Sequence, residues 1–280
     1  MKYLLWICLC LGMGFSSCQE DENFQKKDTN LPSFSSIVIS EVQTGDAQPV
    51  TWNQTLHYNG SARLISVEMS QTYTAVELQQ LKETARFDYS ENQACLTDDN
   101  GNRWTYQLDE NHGMAVSCLY QPVSGSARNY RFFYHITSDG SRYLSKITER
   151  LAGSSQVFSS LDIEYSLENT SLITKEVNGI QQQFQMVFFA ENTWKNQAQL
   201  PPYFLLELYP LSQHTAAMYA HLLGAYPSCL LQSVVPLEDI YGEKCIYSYK
   251  MESGFPVSCD IEISSMGKTY LRHLSICLEK

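Results

Sequence analysis

The residue with the most informative chemistry in this sequence is Cys18, which ends a short apolar leader. Lys2 precedes the apolar stretch 3–15, and the small residues Ser16 and Ser17 lie just before the cysteine. The stretch is too short for a transmembrane helix, which needs about 20 apolar residues. The pattern predicts a secretory signal that is cleaved so that Cys18 becomes the new N-terminus.

Other residues that could do chemistry are not spaced as known sites require. His214 and His221 are seven positions apart, whereas two metal ligands on a helix usually need a spacing of four and further ligands. Residues 98–102 lack the distal glutamate of a calcium loop and are typical of a hairpin turn. No G-x-S-x-G elbow, phosphate loop or Walker motif occurs. We therefore predict no catalytic residue, no metal site and no cofactor, while a Cys–His or carboxylate pair assembled by the fold stays open.

Aromatic side chains are the remaining candidates for a binding site. The chain contains 18 Tyr, 12 Phe and 4 Trp residues, and flat rings can stack on sugars or line an apolar groove. Trp52 and Trp194 fall in less regular stretches, and we name them as candidate binding residues. The alternative is that most rings form the core of a sheet or its cross-strand pairs.

The net charge limits the possible partners, and the cysteine pattern and the polar N-terminal stretch indicate how the chain is organised. The formal net charge is −11, and the lack of a basic cluster disfavours binding to nucleic acid. Six cysteines follow Cys18 without a C-x-x-C pair, and we expect most to be free, buried thiols. Residues 18–35 are polar and lack an apolar period, which predicts a flexible acidic and polar tether before one β-rich domain at 36–280.

The elements that must position these residues are mostly strands. Apolar and polar residues alternate on both sides of a turn in residues 104–120 and again in 245–263. Alternation puts each apolar set on one face of a strand, so both segments predict antiparallel hairpins with one buried face. Folding the first about the centre of its turn places Trp104 opposite Cys118. Looser copies recur along the chain and predict a meander of hairpins.

Two segments depart from the strand pattern. Residues 210–223 have a nearly apolar face, a candidate cap at Ser212 and stop signals at Gly224 and Pro227, which predicts a helix. Residues 74–77 match a capping box, which indicates a short second helix at about 75–85. The expected fold class is mainly β: an antiparallel meander forming an open, curled or partly closed barrel-like sheet, with the 210–223 helix on its concave face.

The N-terminus resembles a bacterial lipoprotein signal peptide over residues 1–22. The resemblance implies that residues 1–17 are removed and that Cys18 carries a diacylglycerol thioether and an N-acyl chain such as palmitate. Two or more acyl chains anchor a protein stably to a membrane. The acidic run 19–22 resembles the surface-export tract of Bacteroidetes-type lipoproteins, although a solvated spacer is the alternative. The expected location is the outer membrane, on the cell surface or the periplasmic face.

Residues 37–280 resemble an uncharacterised family of Bacteroidetes lipoproteins, a domain of unknown function with a porin-like fold. The matching features are repeated units of aromatic strand, glycine turn and Leu/Val-Ser strand, as at Val116-Ser117 and Val257-Ser258. The resemblance implies an antiparallel sheet curled around a helix and carries over no catalytic residues. We do not expect a membrane pore, because continuous aromatic girdles are not evident.

These observations lead to one main functional hypothesis and two alternatives. The main hypothesis is a lipid-anchored, non-enzymatic envelope lipoprotein that binds a glycan, a peptide or an envelope partner. The alternatives are an extracellular hydrolase of glycans and a carrier of a lipid or other apolar ligand. Stacked, exposed aromatic rings would favour binding, facing carboxylates in a cleft would favour hydrolysis, and a dry cavity beside the helix would favour carriage.

Overall fold

Sixteen antiparallel strands form a closed barrel in the computed structural model, which describes residues 34–44, 50–73, 81–166, 169–190, 194–237 and 242–279. Each strand pairs with its neighbours in sequence, and β1 also pairs with β16. The strands are β1 (Ser36–Thr44), β2 (Val50–Tyr58), β3 (Leu64–Tyr73), β4 (Leu81–Ser90), β5 (Gln93–Asp98), β6 (Arg103–Leu108), β7 (Ala115–Gln121), β8 (Arg128–Ile136), β9 (Arg142–Leu151), β10 (Ser159–Tyr165), β11 (Thr170–Val177), β12 (Ile180–Phe188), β13 (Leu231–Pro236), β14 (Lys244–Glu252), β15 (Phe255–Ser265) and β16 (Lys268–Glu279).

Closure of the barrel corrects the prediction of an open or partly closed sheet. β1 and β16 pair along their lengths, from Ser36 opposite Glu279 to Thr44 opposite Leu271. This pairing joins segments more than 200 residues apart, and nothing local in either strand marks it. Closure removes the two exposed sheet edges that an open meander would present to solvent.

The hairpin predicted at residues 104–120 is present, but its register differs from the prediction. Trp104 lies opposite Tyr120, two residues beyond the expected partner Cys118. A shift by an even number of residues keeps every side chain on the same face of the strand. The prediction of which residues point inward therefore survives the error in pairing.

Inward-facing residues are apolar and outward-facing residues are largely polar. Leu56, Ile147 and Leu161 are fully buried on the inner face, whereas Lys146 and Asp162 form an ion pair on the outer wall. Transmembrane barrels show the opposite arrangement, with an apolar outer band and a polar interior. No helix in the described ranges is long and apolar enough to cross a membrane.

The segment between β12 and β13 fills the barrel, and we call residues 194–230 the plug. It contains α1 (Tyr203–Glu207), a 3₁₀ helix (Leu211–His214) and α2 (Thr215–Tyr219). The plug contacts the wall around the whole ring: Tyr203 with Glu41 of β1, Tyr219 with Tyr58 of β2, His214 with Tyr106 of β6, Tyr209 with Glu149 of β9 and Phe204 with Phe184 of β12. Contacts on all sides of a closed ring place the plug inside it.

The plug corrects both helix predictions. The expected helix at 210–223 is broken into short pieces because the segment is packed on all sides, so wall contacts rather than one apolar face set its path. α2 ends at Tyr219, five residues before the predicted stop at Gly224. Gly224 (φ 94°) lies beyond the helix, where a Cβ would lie 2.6 Å from the carbonyl oxygen of Arg142. In the predicted helix at 75–85, residues 81–85 belong instead to β4, where pairing with β3 and β5 overrides the capping-box signal. Residues 74–80 lie outside the described residues.

Both ends of the described chain lie at one end of the barrel because the number of strands is even. We call this the terminal end. Phe34 is buried there against Phe255, and the Ser35 amide donates to the Glu279 carbonyl oxygen at 2.8 Å. Phe34 and Ser35 thus belong to the barrel, although the expected tether extended to residue 35. We call the opposite end, where odd-numbered strands lead into even-numbered strands, the open end.

Candidate functional site

The tip of the plug is fixed to the wall by a buried carboxylate. Glu149, on the inner face of β9, is 0% exposed. It accepts hydrogen bonds from the hydroxyls of Tyr209 and Ser159, the latter at 2.6 Å, and forms an ion pair with Arg128. This carboxylate joins the plug to β8, β9 and β10.

A second group of polar contacts fixes the plug on the opposite side of the ring. The hydroxyl of Tyr203 donates to Glu41, and Arg272 forms ion pairs with both Glu41 and Glu207. Burial raises the pKa of Tyr203, so its hydroxyl stays protonated and remains a donor. The two carboxylates therefore hold the plug in place, and each already has a cationic partner.

On the inner wall near the open end several side chains are only partly buried, and we call this region the vestibule. Trp104 and Tyr120 stack there with ring centroids 4.7 Å apart and an interplanar angle of 30°. Met69 shares the inner face with Leu56 through the strand register, yet it is 42% exposed. The inward-facing, incompletely buried side chains that line the vestibule are Trp52, Met69, Glu83, Trp104, Tyr120 and Lys175. Such a lining can stack on flat apolar surfaces while its charged groups hydrogen-bond to polar ones.

Of the two predicted binding residues, only Trp52 lies in the vestibule. It belongs to β2, a regular strand, and faces inward opposite Glu41. Trp194 lies at the start of the plug near the terminal end, where its ring packs on Phe189 at 5.8 Å between centroids. The two tryptophans are at opposite ends of the barrel and do not form one platform.

The stacked pair in the vestibule was missed as a site. Trp104 and Tyr120 were recognised only as alternating strand residues. The signal that could have identified them is their position as inward-facing rings at the strand ends farthest from the chain termini.

The two histidines considered as metal ligands do not act together. His214 is buried among aromatic rings, with its Nδ1 3.0 Å from the hydroxyl of Tyr106, while His221 packs on Tyr226 at 5.6 Å between ring centroids. The described residues contain no cluster of three His, Cys, Asp or Glu side chains placed to hold a metal.

We expect His214 to make folding stability depend on pH. Burial lowers its pKa to about 3, whereas an unfolded histidine has a pKa of about 6.5. Below about pH 6.5 the unfolded chain binds a proton that the folded chain does not, so stability falls as pH drops. The contribution approaches about 1.4 kcal/mol per pH unit between about pH 6 and pH 4.

Urea unfolding at several pH values measures this dependence. His214→Phe should flatten the slope, while His135→Phe, on the exposed outer wall, should leave it unchanged. An unchanged slope in the His214 variant would assign the acid sensitivity to other groups.

The barrel contains two further groupings of potentially reactive residues, the cysteines and a serine–histidine–aspartate set. The six cysteines Cys95, Cys118, Cys229, Cys245, Cys259 and Cys277 are free, and all but Cys277 are buried. Burial raises the pKa of the Cys245 thiol to about 11, which leaves it a poor nucleophile at neutral pH.

The second grouping lies on the outer wall. Ser275 Oγ is 3.3 Å from His273 Nε2, and His273 Nδ1 is 2.6 Å from Asp260 Oδ1. This is the hydrogen-bond order of a hydrolase triad. However, His273 and Asp260 are cross-strand neighbours about half exposed to solvent, where water competes for every hydrogen bond. The arrangement is that of an exposed cross-strand pair.

The space beside the plug is small. A void of about 10 Å³ lies between the plug residues Leu211, Met218 and Leu223 and the wall. That volume suits about one water molecule, whereas pockets for small organic ligands measure about 300–1,000 Å³. In the described barrel the plug and the wall thus pack closely at this point.

Residues 56–258, most of the chain, match a family model described as a domain of unknown function (DUF4595) with porin-like fold. The chain belongs to this family. Among curated proteins no match is found.

Solved structures agree with the DUF4595 assignment. A porin-like protein from Bacteroides uniformis is 30% identical and superposes with a TM-score of 0.82, covering 89% of this chain and 99% of its own. A porin-like protein from Bacteroides vulgatus is 11% identical, with a TM-score of 0.53 and coverage of 88% and 98%, which shows a shared fold alone.

For this DUF4595 member, the porin-like description applies to the strand topology. The polarity of its wall differs from that of a transmembrane barrel, because ion pairs occupy the outer face and a packed apolar plug occupies the interior.

Proposed function

We propose that this protein is a lipid-anchored lipoprotein of the cell envelope that acts as a non-enzymatic binding module. The vestibule is its binding site, and the ligand is a glycan, a peptide or an envelope partner. One observation carries the proposal: the stacked Trp104 and Tyr120 rings face inward near the open end and are only partly buried. The anchor is Cys18, for which the leader sequence is the support.

The geometry favours binding over the alternatives considered from sequence. Carriage of a lipid needs a cavity, and the void beside the plug is about 10 Å³. Hydrolysis of a glycan needs two available carboxylates. Glu41 and Glu207 at the vestibule floor both pair with Arg272, which leaves Glu83 as the remaining carboxylate among the described lining residues. Passage of solutes is disfavoured because the plug packs against the wall on all sides.

The relatives support placement in the envelope. A solved structure that is 30% identical to this chain is a porin-like protein from Bacteroides uniformis, and outer-membrane attachment through Cys18 agrees with that origin. In this proposal the acidic run after Cys18 supports the cell surface, and the periplasmic face is the alternative if that run is only a solvated spacer.

The test has two arms, one for the anchor and one for the ligand. Mass spectrometry of protein from its native host should find an acylated N-terminal Cys18, and Cys18→Ala should release the protein from membranes, while Cys277→Ala should not. Glycan and peptide arrays should then identify a ligand. Trp104→Ala should weaken its binding about fivefold or more, equivalent to the loss of about 1 kcal/mol of stacking.

Trp194→Ala, which changes a tryptophan at the terminal end, is the matched control and should bind as tightly as the unsubstituted protein. Thermal unfolding of each variant separates loss of the site from loss of the fold. Equal weakening by both substitutions would remove the vestibule from the proposal, and an unmodified Cys18 would remove the anchor.

A further inference from the structure

Two basic side chains on the inner wall near the open end have hydrogen-bond donors that no described residue uses. Lys175 on β11 faces inward, because it alternates with the buried Ser171 and Ile173. Arg128 on β8 faces inward two residues from the buried Tyr130. All open-end connections from β5 to β12 are described, at residues 99–102, 122–127, 152–158 and 178–179.

Lys175 has no counter-ion among the residues that the structure describes. Its cross-strand neighbours on the inner face are Leu161 and Gln182, and its neighbours along the strand on that face are Ile173 and Val177. None of these four side chains carries a charge. Burial lowers the pKa of Lys175, because the ammonium is partly removed from water. An anion beside Lys175 would stabilise its charged form.

The guanidinium of Arg128 is only partly used by its contacts with the plug and the wall. Its Nη1 pairs with Glu149 and lies 3.3 Å from the hydroxyl of Tyr209, while its Cζ lies 5.0 Å from the ring centroid of Phe158. Nε and Nη2 donate to no described residue, and the side chain is 31% exposed. These two nitrogens form one edge of the guanidinium, and their parallel N–H groups match the two oxygens of a carboxylate.

The Trp104–Tyr120 stack lies next to Arg128 on the inner wall. Tyr120 is the cross-strand partner of both Trp104 and Arg128, so the indole, the phenol and the guanidinium occupy neighbouring positions on β6, β7 and β8. Lys175 lies three strands beyond Arg128, about 14 Å around the wall. A flat aromatic surface and two cationic groups therefore follow one another along about 24 Å of the inner wall.

This order of groups fits an acidic glycan better than a peptide. In a uronic acid, a single ring unit carries both a carboxylate and a face that can stack on an aromatic side chain. A peptide that bound through its main chain as an added strand would need a free sheet edge. The closed barrel has no such edge, because β1 pairs with β16.

We propose that the vestibule binds a glycan that carries carboxylates, with one sugar stacked on Trp104 and Tyr120 and with carboxylates paired to Arg128 and Lys175. This inference rests on the proposed function and names its ligand class. The formal charge of −11 opposes the approach of an anion. However, exposed charges are largely screened beyond about 8 Å at physiological ionic strength, so the contacts inside the vestibule determine the affinity.

The experiment uses the chain from Gln19 to Lys280, which contains every described residue, and a panel of uronate and sialate oligosaccharides. Each glycan is compared with the same glycan after methyl esterification of its carboxyls, which removes the charge and keeps the sugar rings. Isothermal titration calorimetry should find a glycan that binds about tenfold or more tightly than its ester, because the ester cannot form charged hydrogen bonds. Lys175→Met should reduce this preference about fivefold or more.

The matched control is Lys146→Met, which changes a lysine on the outer wall and should leave the preference unchanged. Thermal unfolding of both variants shows whether the fold is intact. Absence of binding across the panel, equal binding of acid and ester, or the same preference in both lysine variants overturns the inference. Array binding of a peptide or neutral glycan that Trp104→Ala weakens and Lys175→Met does not would keep the vestibule as the site and exclude an acidic glycan as its ligand.

Discussion

Replacing residues 190–229 with a short Gly-Ser turn should abolish folding to a soluble monomer. The turn can close geometrically, because Phe188 and Leu231 are paired neighbours on β12 and β13. However, the apolar inner face of the wall, which packs on the plug, would then be exposed to water. The stability of a domain is only about 5–15 kcal/mol, and burial of apolar surface contributes about 25 cal/mol per Å². The plug is thus the other half of the core rather than an insertion into a stable ring.

Soluble yield, size-exclusion chromatography and far-ultraviolet circular dichroism measure this outcome. Inserting the same Gly-Ser sequence into the β8–β9 turn, residues 137–141, is the control for the linker and should leave a folded monomer. A soluble deletion variant with cooperative unfolding would show that the wall is stable alone, as in a channel-forming barrel, and would contradict the assignment of the plug as core.

Glu149→Ala should cost about 3–5 kcal/mol of folding stability, the range for removing one partner of a buried ion pair. The substitution leaves the guanidinium of Arg128 without its buried counter-ion. It also leaves the hydroxyls of Tyr209 and Ser159 without an acceptor. Each unsatisfied buried group adds its own desolvation cost, so the tip of the plug should loosen first.

Urea unfolding monitored by fluorescence gives this free energy from the midpoint and the slope. The matched control is Asp162→Ala, which breaks the exposed Lys146–Asp162 pair on the outer wall and should cost about 1 kcal/mol or less. Similar losses in the two variants would mean that water replaces the Glu149 contacts, and that this carboxylate does not hold the plug.

The strand faces could be predicted from sequence because side-chain alternation depends only on local order along the chain. Trp104 and Tyr106 were placed on an inner face, and Tyr106 is fully buried. Register and closure could not be predicted in this way. Trp104 pairs with Tyr120 because the Asp109–Gly113 turn and an adjacent bulge set the offset, and β1 meets β16 through contacts between distant segments.

The plug and the vestibule could not be predicted from the sequence for a different reason. Residues 210–223 have the composition of a helix. However, their apolar side chains pack on the surrounding wall, and that wall exists only once the barrel has folded. Trp52 and Trp194 were singled out for irregular surroundings, whereas Trp52 lies in a regular strand near the open end and Trp194 packs on Phe189 near the terminal end. The stacked Trp104 and Tyr120 were visible as strand residues, and only the folded barrel shows that they stack across β6 and β7 and stay partly buried.

The even number of strands has a consequence for how the gene could be rearranged. Ser35 and Glu279 are hydrogen-bonded neighbours, so a short peptide could join them and new termini could be opened in any turn. Every strand of the barrel pairs with the strands before and after it in sequence, and β1 pairs with β16. Circular permutation would therefore change the order in which the strands are synthesised without changing which strands pair. Opening the chain in a turn at the open end would place both new termini beside the vestibule. A reporter fused there could sense ligand binding in the vestibule.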